Sequence, residues 1–150
     1  MSELKAGMLA PDFELPDQNG QPVRLSQFRG KRAVVVYFYP KDDTGGCTAE
    51  ACSFRDEFAQ FRAVNAEILG ISSDSSESHA RFVLKYNLPF TLLSDKGGRV
   101  RKLFGVKKTL GIIPGRATYI VDRDGVLLHV FSSQSEPTRH ITEALSALGK

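Results

Sequence analysis

Ala33-Val34-Val35-Val36-Tyr37-Phe38-Tyr39-Pro40-Lys41-Asp42-Asp43-Thr44-Gly45-Gly46-Cys47 decides how this chain folds. Ala33 to Tyr39 is a continuous β-branched and aromatic run, the composition of a strand buried on both faces. Pro40 can end that strand, since it has no N–H for a sheet ladder. Beyond the two glycines, Ala51, Phe54, Phe58 and Phe61 recur at spacings of three and four. They form one apolar face of a helix expected to run to about Ala63. The segment is therefore read as strand, turn and helix, with Cys47 in the first helical turn. A thiol there meets the positive end of the helix dipole and unpaired backbone N–H groups. Both favour the thiolate, the reactive form of cysteine.

The same reading extends outward. Phe13–Leu15 and Val23–Leu25 flank the turn sequence Pro16-Asp-Gln-Asn-Gly20, which predicts a small N-terminal β-hairpin. Ser26 is expected to cap a short helical turn before Gly30. Ile68–Ile71 and Phe90–Leu93 read as short strands. Between them a helix capped by Ser75 or Ser76 carries Phe82, Val83 and Tyr86 and ends near Asn87. After an Asp95–Gly98 turn, Arg99–Phe104 is read as helix, stopped by Gly105. Ala117–Val121 and Val126–Phe131 surround the hairpin turn Asp122-Arg-Asp-Gly125. Pro137 opens a last helix with Ile141, Ala144, Leu145 and Leu148 on one face. Strands alternating with helices give an α/β protein, a mixed central sheet flanked by helices. The order of elements is compatible with a thioredoxin-like fold.

Residues 1–150 have a length suited to one domain. Hydrophobic residues make up 41% and charged residues 25%, the balance of a globular protein rather than a disordered one. No run approaches the ~20 apolar residues of a membrane helix, so no membrane partner is expected. The N-terminal residues lack the basic and apolar regions of a secretory signal. The net charge of +3 comes from 20 basic and 17 acidic residues that are interleaved. The one small basic cluster, Arg99 to Lys108, reads as an amphipathic helix with a solvated face, so nucleic acid is not an expected partner.

The chain has two cysteines, Cys47 and Cys52, too few for a closed zinc site without histidines. His79, His129 and His140 lack ligand-like spacing and read as surface or partly buried residues. No metal and no cofactor is expected. Cys47, behind two glycines, reads as approachable by a small reagent, and Cys52 as lying a turn further in, beside the apolar face. Thr44 reads either as the helix N-cap, its hydroxyl accepting from the Cys47 N–H, or as a hydroxyl beside the sulfur. Over five residues an ideal helix advances about 7.5 Å and turns about 140°, which separates the two Cα atoms by roughly 8–9 Å. A disulfide needs Cα atoms within ~7 Å. The two cysteines can therefore bond only if the start of the helix unwinds. The spacing also differs from the Cys-x-x-Cys of thiol–disulfide exchange enzymes.

Pro40-x-x-x-Thr44-x-x-Cys47 resembles the active-site signature of the peroxiredoxins. With a second cysteine at Cys52, it is similar to their PrxQ branch, the bacterioferritin comigratory proteins. The likeness includes Ala10-Pro11-Asp12-Phe13, Thr91-Leu-Leu-Ser-Asp95, Pro114-Gly115-Arg116-Ala-Thr118-Tyr119 and Val121-Asp-Arg-Asp-Gly125. The resemblance implies a thioredoxin-like fold and a peroxidase acting on hydrogen peroxide and alkyl hydroperoxides. It implies that Cys47 is the peroxidatic cysteine and Cys52 the resolving cysteine. Thr44 would contact sulfur and peroxide, Arg116 would stabilise the thiolate and polarise the peroxide, and Pro40 would shield the pocket. A Cys47–Cys52 disulfide would be reduced by thioredoxin or a similar dithiol. The branch points to a monomer in bacterial cytoplasm, with a processed plastid protein as the alternative. The family commonly has proline where this chain has Gly45. Competing readings are a redox sensor or holdase and a protein thiol–disulfide oxidoreductase.

Overall fold

The computed structural model of the chain describes residues 4–108 and 115–149. Pro114 of the resemblance therefore lies outside the described residues. The elements follow in the order β1 (Glu14–Pro16), β2 (Pro22–Arg24), β3 (Ala33–Phe38), α1 (Gly45–Asp56), α2 (Phe58–Ala63), β4 (Ala66–Ser72), α3 (Ser76–Tyr86), β5 (Thr91–Ser94), α4 (Arg99–Phe104), β6 (Ala117–Val121), β7 (Leu127–Ser132) and α5 (Arg139–Ala147). Strands β1 and β2 form the expected antiparallel hairpin. The other five make one mixed sheet in the order β5-β4-β3-β6-β7. In it β3 runs parallel to β4 and antiparallel to β6. Among the described residues no helix is long and apolar enough to cross a membrane.

Strand β3 is buried on both faces, as its composition demands. Successive side chains of a strand point to opposite faces. Val34, Val36 and Phe38 enter one core with Leu15, Val23, Val100 and Phe104. Val35, Tyr37 and Tyr39 enter the other, with Cys47, Ala51, Phe54, Phe82 and Ile141. The hairpin and α4 thus cover one face, and α1, α3 and α5 the other. Tyr37 stacks on Phe54 at 4.6 Å between ring centroids, which fixes the middle of α1 against the sheet.

Four local expectations are corrected. The helix expected to run to Ala63 breaks at Glu57, with φ −99° and ψ 10°. Phe54 and Phe61 stay buried across the bend with ring centroids 5.6 Å apart, while Phe58 is half-buried. Ser26 lies inside a 3-10 turn over Leu25–Phe28 rather than capping it; Gln27 accepts from the Arg24 N–H instead. Two of the three histidines are neither surface nor partly buried groups: His79 and His140 are fully buried, while His129 is half-buried as expected. The basic stretch at α4 is not wholly solvated, because Arg101 is only 6% exposed. Ser75, by contrast, caps α3 as expected, accepting from the Ser78 N–H at 3.1 Å.

Candidate active site

The register between β3 and β6 places the site. Phe38 pairs with Ala117, so the next residue out on each strand, Tyr39 and Arg116, stand side by side at the same end of the sheet. Helix α1 starts there, with Cys47 in its first turn. Cys47 is 1% exposed, and Arg116 is 5% exposed. The Arg116 guanidinium donates from Nη2 to Cys47 Sγ at 3.5 Å and from Nη1 to the Glu50 carboxyl group. Its Nε also donates to the Gln134 carbonyl at 3.4 Å. A Cβ on Gly46 would lie 3.0 Å from Arg116 Nη2, so glycine at that position leaves room for the guanidinium over the start of α1.

Burial of the thiol reverses the expected accessibilities. Cys47, expected to be the approachable cysteine, is enclosed, whereas Cys52 is half-buried. Both are free and both lie in α1, so their separation is that of a regular helix. The remaining two expected residues, Thr44 and Pro40, make no hydrogen bond to the sulfur among the described residues. Thr44 holds the N-cap position, yet its hydroxyl donates to the Lys41 carbonyl at 3.0 Å instead of accepting from the helix. Pro40 is half-buried and directly follows Tyr39 at the end of the strand.

Three buried groups that sequence reasoning did not place in the site complete the surroundings. Glu50, fully buried, has its pKa pushed up to about 8 by loss of solvent, against the pull of Arg116. Its Oε2 has no hydrogen-bond partner among the described residues and lies 3.8 Å from His140 Nδ1. His140 donates from Nε2 to the Ser133 carbonyl at 2.8 Å, so its Nδ1 accepts from the Thr118 hydroxyl at 2.7 Å. Burial pushes His140 down to about 4, which keeps it neutral. Burial also works against the Arg116 charge, but Glu50 and Cys47 outweigh it and raise the guanidinium above its ordinary value. Arg101 is the third. It donates from Nη2 to the Tyr39 carbonyl at 2.8 Å and from Nη1 to the Gly115 carbonyl at 2.7 Å.

The loop between β3 and α1 is tied to α3. Asp42 accepts from the Tyr39 hydroxyl at 2.6 Å, from Ser78 at 2.8 Å, and shares a 2.7 Å contact with His79 Nδ1. Asp43 accepts from Lys85 and Tyr86. Asp42, Asp74 and His79 are the described residues whose donor atoms would converge on a metal ion, lying within 4.8 Å of one another. Hydrogen bonds already use those atoms: Ser72 and the Asp42 N–H donate to Asp74, and His79 Nε2 meets the Leu93 carbonyl. The cluster is complete as a hydrogen-bonded anchor and needs no ion.

An enclosed thiol touched by a guanidinium can react only with something small, and the donors around it can stabilise charge on a departing atom. Comparison with known proteins agrees in kind. Residues 6–130 match the model of the AhpC/TSA family. The chain is 53% identical over 148 residues to a chloroplastic peroxiredoxin Q of Sedum lineare, covering 98% of this chain and 79% of that protein. It is 50% identical over 148 residues to the chloroplastic peroxiredoxin Q of Arabidopsis thaliana, covering 98% and 68%. Among solved structures it is similar to the peroxidoxin BcpB of Mycobacterium tuberculosis, with TM-score 0.90, 42% identity and 97% of each chain covered. It is also similar to the bacterioferritin comigratory protein of Xanthomonas campestris, studied for alkyl peroxide reduction, with TM-score 0.83, 29% identity, and 97% and 99% covered.

Proposed function

Because the chain belongs to the AhpC/TSA family and is a thiol peroxidase of the peroxiredoxin Q type, we propose that Cys47 is its peroxidatic cysteine and Cys52 its resolving cysteine. The observation that carries the assignment is the 3.5 Å contact between Arg116 Nη2 and the enclosed Cys47 sulfur. Cys47 thiolate attacks one peroxide oxygen and the O–O bond breaks. The sulfur is oxidised to sulfenic acid, and the other oxygen leaves, with a proton, as water or alcohol. Arg116 stabilises the charge that develops on the leaving oxygen. In this reading Thr44 turns its hydroxyl from the Lys41 carbonyl to the peroxide when substrate enters, and Pro40 keeps water from the pocket.

The Cys52 thiol then attacks the sulfenic sulfur, an S–S bond forms and water leaves. The two cysteines share α1, so this step requires the first turns to unwind. A dithiol of the thioredoxin type reduces the disulfide and restores both thiols. We read the protein as a monomer, which sedimentation velocity checks. Bacterial cytoplasm is the setting we propose first, and the chloroplast names of the plant relatives favour the plastid as a second.

The deciding experiment is peroxide consumption with thioredoxin, thioredoxin reductase and NADPH. Cys47→Ser is expected to abolish turnover. Cys52→Ser is expected to consume one equivalent of peroxide and then stop. Turnover that survives Cys47→Ser would overturn the assignment.

A further inference from the structure

Arg101 presents a problem of placement. It lies on α4, which packs against the face of the sheet opposite α1 through Val100 and Phe104. Its guanidinium nevertheless reaches round the end of β3 and is buried there. Burying a guanidinium is costly unless its donors and charge are met. Among the described residues no carboxylate lies within ion-pair distance of it. Asp95, the acidic group that acts on it most strongly, spends both oxygens on the backbone, accepting from the Val100 N–H at 3.0 Å and the Arg101 N–H at 2.9 Å. Burial accordingly lowers the Arg101 pKa, with Asp95 and then Cys47 opposing. Phe38 offers a ring 5.7 Å from the guanidinium carbon.

What the guanidinium does bond is specific. Nη2 holds the carbonyl of Tyr39, the residue before Pro40, and Nη1 holds the carbonyl of Gly115, the residue before Arg116. These are the two chain ends that flank Cys47. The planar fork of arginine suits such a bridge, whereas lysine carries a single point charge. Backbone crowding shows how closely the second end is held: a Cβ on Gly115 would lie 1.9 Å from the Lys107 carbonyl oxygen.

We propose that Arg101 is a positioning residue for the peroxide step, a staple whose two hydrogen bonds fix the distance between Pro40 and Arg116 across Cys47. The inference rests on the peroxidatic reading of Cys47. The staple acts on the geometry that aims Arg116 at the O–O bond. It therefore matters to peroxide attack and little to thiol reactions that need no such donors. Displacement of a positioned group by about 1 Å can lower a rate on the order of a hundredfold.

The test compares wild type, Arg101→Met and Arg101→Lys in two reactions at one pH. One is single-turnover oxidation of Cys47 by hydrogen peroxide, in a Cys52→Ser background. The other is alkylation of Cys47 by iodoacetamide. Arg101→Met is expected to slow oxidation at least about tenfold while alkylation changes less than about threefold. Arg101→Lys, which keeps the charge but loses the planar fork that spans the two carbonyls, is expected to fall between. Oxidation within twofold of wild type in both variants would overturn the proposal. So would an equal loss in both reactions, since that reports a change in the thiolate or the fold and not in the aim of Arg116 at the O–O bond. If Arg101→Met does not fold, the lysine variant decides by the same ratio. A wild-type protein inert to peroxide would instead sink the peroxidatic reading itself.

Discussion

At the scale of single residues, the site divides by what type and spacing can carry. Cys47, Thr44, Arg116 and Pro40 stand in one short motif and one downstream arginine, and Cys47 and Arg116 do meet at 3.5 Å. Arg101, Glu50 and His79 gave no such signal. A basic residue among others at 99–108 has the composition of a solvated face, and only the fold reveals that its stem passes over Phe38 to two backbone carbonyls. Gly46 was legible only as one of the two glycines before Cys47, not as a position whose Cβ would crowd Arg116. Gly46→Ala is expected to push the Arg116 guanidinium off the sulfur, because the new methyl would sit 3.0 Å from Nη2. A flexible side chain can yield, so the stability loss should stay within about 1 kcal/mol. The peroxide rate should fall roughly tenfold or more if Arg116 is the transition-state donor we propose. Stopped-flow oxidation beside a denaturant melt separates the two effects.

At the scale of elements, apolar periodicity located α3, α4, α5 and the five strands of the central sheet, with ends shifted by a few residues, and read α1 and α2 as one helix. It missed the break at Glu57 because Phe54, Phe58 and Phe61 keep helical spacing on either side of a bend. Spacing reports a face, whereas an axis can change without disturbing it. On the roles proposed for Cys47 and Cys52, the start of α1 is the element on which turnover depends. Gly45 is its first residue, a position where proline is preorganised and where the missing N–H has no helical partner to lose. No atom lies within 4 Å of a Cβ built there, and Thr44 before it is extended, as the residue before a proline prefers to be. Gly45→Pro is expected to stiffen the turn and slow its unwinding, since glycine favours the unwound state by entropy. At high peroxide the variant should accumulate more Cys47 sulfinic acid per turnover than wild type, read by intact-mass spectrometry. Unchanged or lower accumulation would refute this account of Gly45.

At the scale of the whole molecule, strand order was not legible. Composition shows that β3 is buried on both faces but not that β6 is its antiparallel neighbour, and that pairing is what brings Arg116 to α1. The buried titrating groups on this side of the sheet make a pH signature for the intact fold. Glu50 binds its proton more tightly folded than unfolded, its pKa raised from 4.5 to about 8. Its contribution is fully present below 4.5 and is lost as pH rises through 8. His140, lowered from 6.5 to about 4, contributes stability that is present above 6.5 and lost as pH falls through 4. The two oppose each other between 4.5 and 6.5, leaving Glu50 alone above that. Wild type should therefore lose stability from pH 6.5 to 8, on the order of a few kcal/mol. Glu50→Gln should flatten that decline, as thermal melts across the range would show. The enclosure of Cys47 beside a half-buried Cys52 has one more consequence. On the roles proposed for Cys47 and Cys52, the molecule would work as an airlock whose two doors never stand open together. Peroxide would meet the sulfur only inside, and a protein dithiol only after it has come out. An added protein dithiol would then not shield a loaded Cys47 from a second peroxide, and the odds of that accident would be set by how fast a few residues of helix let go.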